Sequence, residues 1–259
     1  MILLTVVGLF MVLLFLKSNE QNKPEVTRDF YEIRAEGLIK IVTNYNTLNY
    51  YVKDDTIRGI QYFLIKQMSE YFGLDTEIFL ENDLLKSFEG LENGSYDIVA
   101  RNIPVTTELR EHYAFTAPIK LSKQVLIQNK NKKTYPLRNQ IDLAGKTLHI
   151  SANSPVKLRI RNLEDEIGDT IYVVESPYDT EQLIMMVAHG EIEYAVGDLE
   201  TAQLISPRFE NIDYSTDITF TQLQSWALRK TSPVLLDSVN TWLRGTPNNS
   251  KSVREKFRF

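Results

Sequence analysis

One local pattern occurs twice in this chain. Leu91-x-x-Gly94-x-x-Asp97 is matched by Val187-x-x-Gly190-x-x-Glu193. In both copies a helix ends in glycine, an acidic residue follows three positions later, and a short apolar strand comes next. Glycine just past a helix takes the left-handed C′ position, so each copy marks a helix stop and a strand start. Each copy also closes a β-α-β-α-β run, which predicts a mostly parallel sheet with right-handed crossovers. At 259 residues the chain has room for two such units.

In the first run, Phe30, Ile33 and Arg34 lie on a short helix ending at Gly37, and residues 38–43 read as a strand. Residues 44–56 read as a polar and aromatic loop holding Tyr45, Tyr50 and Tyr51. Ile60, Phe63, Leu64, Met68 and Phe72 recur at helical spacing, and Gly73 closes that helix. A strand over 76–80, a helix through Leu84, Leu85, Phe88 and Leu91, and a strand over 96–100 complete the run. The second run has strands over 146–151, 170–174 and 194–196. Its helices are opened by Ser154-Pro155 and by Asp179, which has Gln182 three residues on as in a capping box. Asp198 starts the next helix. Residues 124–128 and 218–228 are extended segments suited to crossing between two lobes as a double-strand hinge. A final helix follows the Ser232-Pro233 cap and ends at Gly245.

The stretch from Gly94 to Pro118 is the candidate ligand segment. Residues 102–107 read as a polar loop, with Pro104 barring regular structure, and residues 107–110 as a helix start. A loop at the carboxyl end of a buried strand, followed by a helix N-terminus, is where open α/β sheets bind ligands. An arginine there can clamp a carboxylate with two parallel hydrogen bonds. Arg110 is therefore expected to hold the acidic end of a small ligand; the alternative is a surface arginine on a short helix.

Composition narrows the chemistry. The net charge of −5 implies no basic face, so no nucleic-acid partner is expected. With no cysteine and only three histidines, a thiolate metal site, a thiol nucleophile and a histidine triad are not expected, and neither is a cofactor. Residues 2–16 form an apolar run too short for a full bilayer span, suited to a signal peptide or a signal anchor. Residues 1–23 are thus read as leader and tether. An extracytoplasmic or periplasmic location is expected, tethered to the inner membrane, with a cleaved signal as the alternative.

Several short motifs carry a family resemblance. They are Gly37-Leu38-Ile39-Lys40-Ile41, Gly94-Ser95-Tyr96-Asp97-Ile98-Val99-Ala100, Thr107-Glu108-Leu109-Arg110, Phe115-Thr116-Ala117-Pro118-Ile119, Asp142-Leu143-Ala144-Gly145-Lys146 and Trp226-Ala227-Leu228-Arg229-Lys230. Together, over about residues 30–258, they resemble the type-3 extracellular solute-binding proteins. More closely they look like the N-terminal domain of the membrane-bound lytic transglycosylase F family. The resemblance implies an α/β, periplasmic-binding-protein-like type II fold: residues 24–123 and 218–259 as lobe 1, residues 124–217 as lobe 2. It implies closure on a small zwitterion, with Arg110 on the ligand carboxylate, Asp198 on its ammonium and Ser154 contacting it through a hydroxyl. Tyr45, Tyr50 and Tyr51 fall where the family places stacking aromatics, and Arg101 adds a cation at the cleft edge. Val105 and Pro104 stand where amino-acid receptors offer a hydroxyl, which leaves a peptide or muropeptide fragment open beside a free amino acid. The expected partners are an ABC permease for uptake, or cell-wall machinery for sensing. The chain ends at Phe259 without room for a lysozyme-like domain, so murein cleavage is not expected. Two alternatives stand beside the binding role. One is an enzyme of the same fold, for which Glu108 and His149 lack a convincing partner; the other is an interaction domain without a ligand.

Overall fold

The computed structural model describes residues 26–131 and 136–245. The apolar run 2–16, the tether and the last residues lie outside this range. Among the described residues no helix is long and apolar enough to cross a membrane.

Lobe 1 begins with α1 (Phe30–Glu36), β1 (Leu38–Thr43), the hairpin β2 (Tyr51–Lys53) and β3 (Thr56–Arg58), and α2 (Ile60–Phe72). It continues with β4 (Asp75–Leu80), α3 (Leu84–Glu92), β5 (Ile98–Pro104), α4 (Thr107–His112), β6 (Tyr113–Phe115) and β7 (Lys120–Ser122). The chain then enters a second sheet through β8 (Gln124–Asn129), β9 (Thr147–Ser151), α5 (Val156–Ile167), β10 (Tyr172–Ser176), α6 (Thr180–His189), β11 (Tyr194–Asp198), α7 (Leu199–Ile205) and β12 (Ile212–Asp217). It returns to the first sheet as β13 (Gln222–Arg229) and closes with α8 (Pro233–Gly245).

The two sheets have the same internal order. In β4-β1-β5-β13-β6, β1 is flanked by parallel neighbours and β13 adds antiparallel to β5. In β10-β9-β11-β8-β12, β9 is flanked by parallel neighbours and β8 adds antiparallel to β11. The repeated sequence pattern is thus a repeated topology, and each sheet is covered on both faces. On one side of the first sheet, Ile41, Ile98 and Trp226 pack against α1, α2 and α8; on the other, Val42, Val99 and Ala227 meet α3. In the second sheet Leu148, Ile150 and Val196 meet α5, while Val125, Ile127 and Ala195 meet α6 and α7. Strands buried on both faces lose polar alternation, which is why Ile98-Val99-Ala100 reads as a continuous apolar run.

Four local readings need correction. The strand expected over 96–100 runs instead from Ile98 to Pro104, because β13 pairs with it through Gln224 opposite Pro104. Proline tolerates this place at the strand end, where its missing N–H is not needed by the ladder. The loop expected over 44–56 contains the β2–β3 hairpin, whose two turn residues, Asp54 and Asp55, both have positive φ, as a type I′ turn requires. The extended segment expected over 218–228 breaks between Asp217 and Gln222, where the chain crosses between sheets. The Ser232 hydroxyl donates to Arg28 O rather than capping α8; Asp29 supplies that cap, accepting from Val234 N and Leu235 N at 3.0 and 2.7 Å. Asp29 also caps α1 through Phe30 N at 2.8 Å, so one carboxylate serves two helix N-termini.

Asp97, from the repeated pattern, is fully buried. It accepts from Arg28 Nε at 2.9 Å, Arg229 Nη2 at 3.0 Å and Lys40 N at 3.0 Å. This carboxylate joins the entering chain, β1 and β13 at the base of lobe 1. A buried charge held by two cations and an amide is matched rather than stranded.

Candidate functional site

A cleft of about 400 Å³ lies between the lobes. Its walls are the carboxyl ends of the parallel strands in both sheets and the loops that leave them: Asn44 and Asn46 after β1, Glu81 to Asp83 after β4, and Arg101 to Pro104 of β5. From lobe 2 come Ser151 to Ser154 at β9, Pro177 to Thr180 after β10, and Asp198 at the end of β11. Carboxyl ends of strands meeting in a crevice are the expected ligand position for such sheets.

Arg101, within β5, and Asp198, at the end of the corresponding β11, face the cleft from its two sides. Arg101 donates only through Nη1, to Glu81 O at 3.3 Å, Asn82 O at 3.1 Å and Ser87 Oγ at 3.4 Å. Its Nε and Nη2 have no protein partner among the described residues, which leaves one edge of the guanidinium fork for a ligand. Burial pushes Arg101 down to about 10, against the pull of Asp198, Glu81, Asp83 and Asp179. Asp198 accepts from Gln124 Nε2 at 2.5 Å through Oδ1. Burial raises its carboxyl above the ordinary range, opposed by Lys120, Gln124 and Arg101. Asp198 is the residue before α7, but its side chain makes no capping bond, and among the described residues Oδ2 has no hydrogen-bond donor.

Ser154 lines the cleft and, contrary to the sequence reading, does not cap α5. Pro155 takes the N-cap position and no side chain bonds the helix amides there. Its hydroxyl is thereby available to a ligand.

The other sequence candidates are placed differently. Arg110 is exposed on α4 and does not line the cleft, so the structure does not bring it together with Asp198. Because β5 continues to Pro104, the cation delivered to the cleft by this stretch is Arg101, and the stretch's contribution to the lining ends at Thr106. Tyr45 is exposed and outside the lining, and Tyr51 is used in β2. Tyr50 packs edge-to-face on Tyr62 at 5.7 Å and does not line the cleft. Tyr178 of lobe 2 is the aromatic that does line the cleft, half exposed there.

Asn102 was missed by sequence reasoning. The indole of buried Trp226 donates to Gln61 Oε1 at 2.8 Å, and Gln61 Nε2 donates to Asn102 Oδ1 at 2.9 Å. This chain fixes the Asn102 amide and leaves its Nδ2 as a donor beside Arg101. The signal in sequence was a glutamine on the apolar face of α2, fully buried here. Among the described residues no cluster of three or more histidines and carboxylates forms a metal site. The cleft thus offers donors from lobe 1 and an acceptor from lobe 2, an arrangement for binding a small dipolar molecule.

Residues 39–254 match the bacterial extracellular solute-binding proteins, family 3. Among curated proteins, the membrane-bound lytic murein transglycosylase F of Desulfosudis oleivorans is 27% identical over 228 residues, covering 88% of this chain and 49% of that protein. The protein of the same name from Pseudoalteromonas translucida is 24% identical, over 80% of this chain and 44% of its own length. The chain therefore spans about half the length of the curated relatives it matches. Among solved structures, the P235GK mutant of ArgBP from T. maritima superposes with a TM-score of 0.75 at 21% identity, covering 88% of this chain and 98% of that one. An amino acid ABC transporter substrate-binding protein, AbpA of Streptococcus pneumoniae bound to L-arginine, gives 0.75 at 16%, over 88% and 97%. These likenesses share the type II periplasmic-binding fold described above. By the match over most of its length, the chain belongs to family 3 of the bacterial extracellular solute-binding proteins.

Proposed function

We propose that this domain is an extracytoplasmic receptor for a small zwitterion, bound between Arg101 and Asp198. The observation that carries this reading is their pairing across one cleft, each with a hydrogen-bonding edge that has no partner among the described residues, Arg101 within β5 and Asp198 at the end of the corresponding β11. A ligand carboxylate would lie on the Arg101 fork and the Asn102 amide, with the Ser154 hydroxyl on the opposite wall. Its ammonium would meet Asp198. Neither lobe alone satisfies both ends, so ligand contacts favour the closed arrangement. A free amino acid suits the roughly 400 Å³ cleft, which lies near the small end of ligand sites. The structural neighbours solved with arginine bound, ArgBP of T. maritima and AbpA, support this class.

The relatives named as lytic murein transglycosylases favour wall sensing as the context, with a wall-derived amino acid or short peptide as the ligand. ABC-linked uptake is the other context. Binding rather than turnover is proposed, because the cleft presents charge-fixing groups and the family matched is one of solute-binding proteins.

Titration calorimetry with a panel of amino acids and wall-derived peptides tests the reading. Heat from at least one zwitterion, with its affinity lowered roughly 10- to 100-fold by Arg101→Met and by Asp198→Asn, is the expected result. An affinity left unchanged by both substitutions, or no binding by any zwitterion, would overturn it.

A further inference from the structure

The lobes also touch across the cleft through the protein's own side chains. Thr47 of lobe 1 donates to Glu181 Oε2 twice, from its backbone N at 3.3 Å and from Oγ1 at 2.7 Å. Asn153 of lobe 2 donates from Nδ2 to Asp83 Oδ1 at 3.0 Å. Each lobe thus gives donors and each supplies an acceptor. Both acceptors are carboxylates at helix starts facing the cleft: Asp83 caps α3, and Glu181 lies in the first turn of α6. We propose that these reciprocal bonds form a latch that keeps the closed arrangement populated without ligand, so that a ligand can enter or leave only when the latch parts.

The latch is built in advance on both sides. Around Thr47, Asn46 Oδ1 accepts from Leu48 N at 3.1 Å and Asn49 N at 2.7 Å, and Asn46 and Tyr50 exchange both backbone bonds. The carbonyls of Leu48 and Asn49 accept the first three amides of α2, so the loop is also the cap of a core helix. Leu48 is buried beneath it. A donor held by so braced a loop surrenders little freedom when it bridges. Across the cleft, Asn153 has φ +57°, a left-handed conformation that asparagine tolerates, and its N donates to Glu175 Oε2 at 3.1 Å. Glu181 is shielded, with 14% of its side chain exposed, and its ion-pair partner Arg208 stands off at 3.9 Å. Thr47 therefore supplies its close contacts, and hydrogen bonds to a shielded carboxylate are of the stronger kind.

The latch depends on the two-lobed fold alone and not on the identity of any ligand. Because the chain has no cysteine, Lys53→Cys on lobe 1 and Arg161→Cys on lobe 2 allow clean dye labelling for single-molecule energy transfer. The protein is first shown by native mass spectrometry to carry no small molecule, with unfolding and refolding to remove any that is retained. The labelled protein is expected to be mostly closed. Adding Thr47→Val with Asn153→Gly is expected to shift the open-to-closed ratio by about tenfold or more, as loss of two bonds to carboxylates implies. Thr47→Ser, which keeps the hydroxyl, should leave the ratio near that of the parent, and an unchanged circular dichroism spectrum shows that the variants fold. A ligand-free protein that is already mostly open overturns the proposal, and so does a double variant whose distribution matches the parent.

Discussion

Arg101 and Asp198 divide one task unequally between stability and binding. Burial raises the Asp198 carboxyl, so the folded chain keeps a proton there in a pH window where the unfolded chain has already lost it. Unfolding free energy therefore falls as pH rises through the window above the ordinary carboxylate value. Asp198→Asn removes that burden. At pH 7 it should melt higher than the parent in the ligand-free state by calorimetry, yet bind the ligand roughly 10- to 100-fold more weakly, the worth of a charged hydrogen bond. An ammonium partner needs the ionised form. Affinity should thus decline on acidification at a higher pH than for an ordinary carboxylate, and this dependence should vanish in Asp198→Asn. Arg101→Lys keeps the charge but loses the planar fork, and should weaken binding nearly as much as Arg101→Met. Ser154→Ala should reduce affinity only several-fold without lowering the melting temperature, since its hydroxyl caps nothing.

At the scale of elements, the sequence was most readable where structure is local. Gly37, Gly73 and Gly190 end their helices with φ of 72°, 66° and 80°, as their positions announced. The Asp179–Gln182 capping box is present with both of its bonds. Reading failed where a distant partner decides. The β5 extension through Pro104 is imposed by β13, and it is this extension that puts Arg101 rather than Arg110 at the cleft. The Asp29 cap on α8 joins residues far apart in sequence. The Asp54-Asp55 turn was within reach, since two turn formers between extended residues signal a hairpin. Gly59 carries a sharper constraint. Its φ is +126°, and a Cβ there would lie 2.2 Å from the Asn49 carbonyl oxygen that accepts the α2 amides. Gly59→Ala should therefore destabilise the fold by more than the ~1–2 kcal/mol of backbone strain alone and displace the Thr47 loop, which thermal melts and loss of ligand affinity together would report.

At the scale of the molecule, the doubled 91–97 and 187–193 pattern already announced two similar halves. The matching strand orders follow from it, whereas the closure contacts do not. The bridges from Thr47 to Glu181 and from Asn153 to Asp83 join residues with no sequence signature, because each is an ordinary loop or cap until the lobes meet. The Asp97 hub belongs to this scale as well. Asp97→Asn would take the counter-charge from the buried Arg229 guanidinium, while Arg28 keeps Glu36, and should cost about 3–5 kcal/mol in denaturant unfolding without altering the cleft. A saturating ligand, at 100 times its dissociation constant, should raise stability by about 2.7 kcal/mol if it binds the native state alone.

The ties at the base of lobe 1 reach further than its stability. Val26 O accepts from Thr231 Oγ1 at 2.6 Å, Arg28 O accepts from Arg229 and Ser232, and Asp29 caps α8. Both ends of the described chain are thereby fastened to the same body, while the other lobe is inserted between them. Anything joined at either end is joined to lobe 1. Lobe 2 then behaves as a pointer on a fixed dial: its attitude follows whether the latch is made or parted, while both ends of the described chain stay with lobe 1. A partner that senses this motion has to touch lobe 2 or the rim of the cleft, because the chain ends carry no record of it.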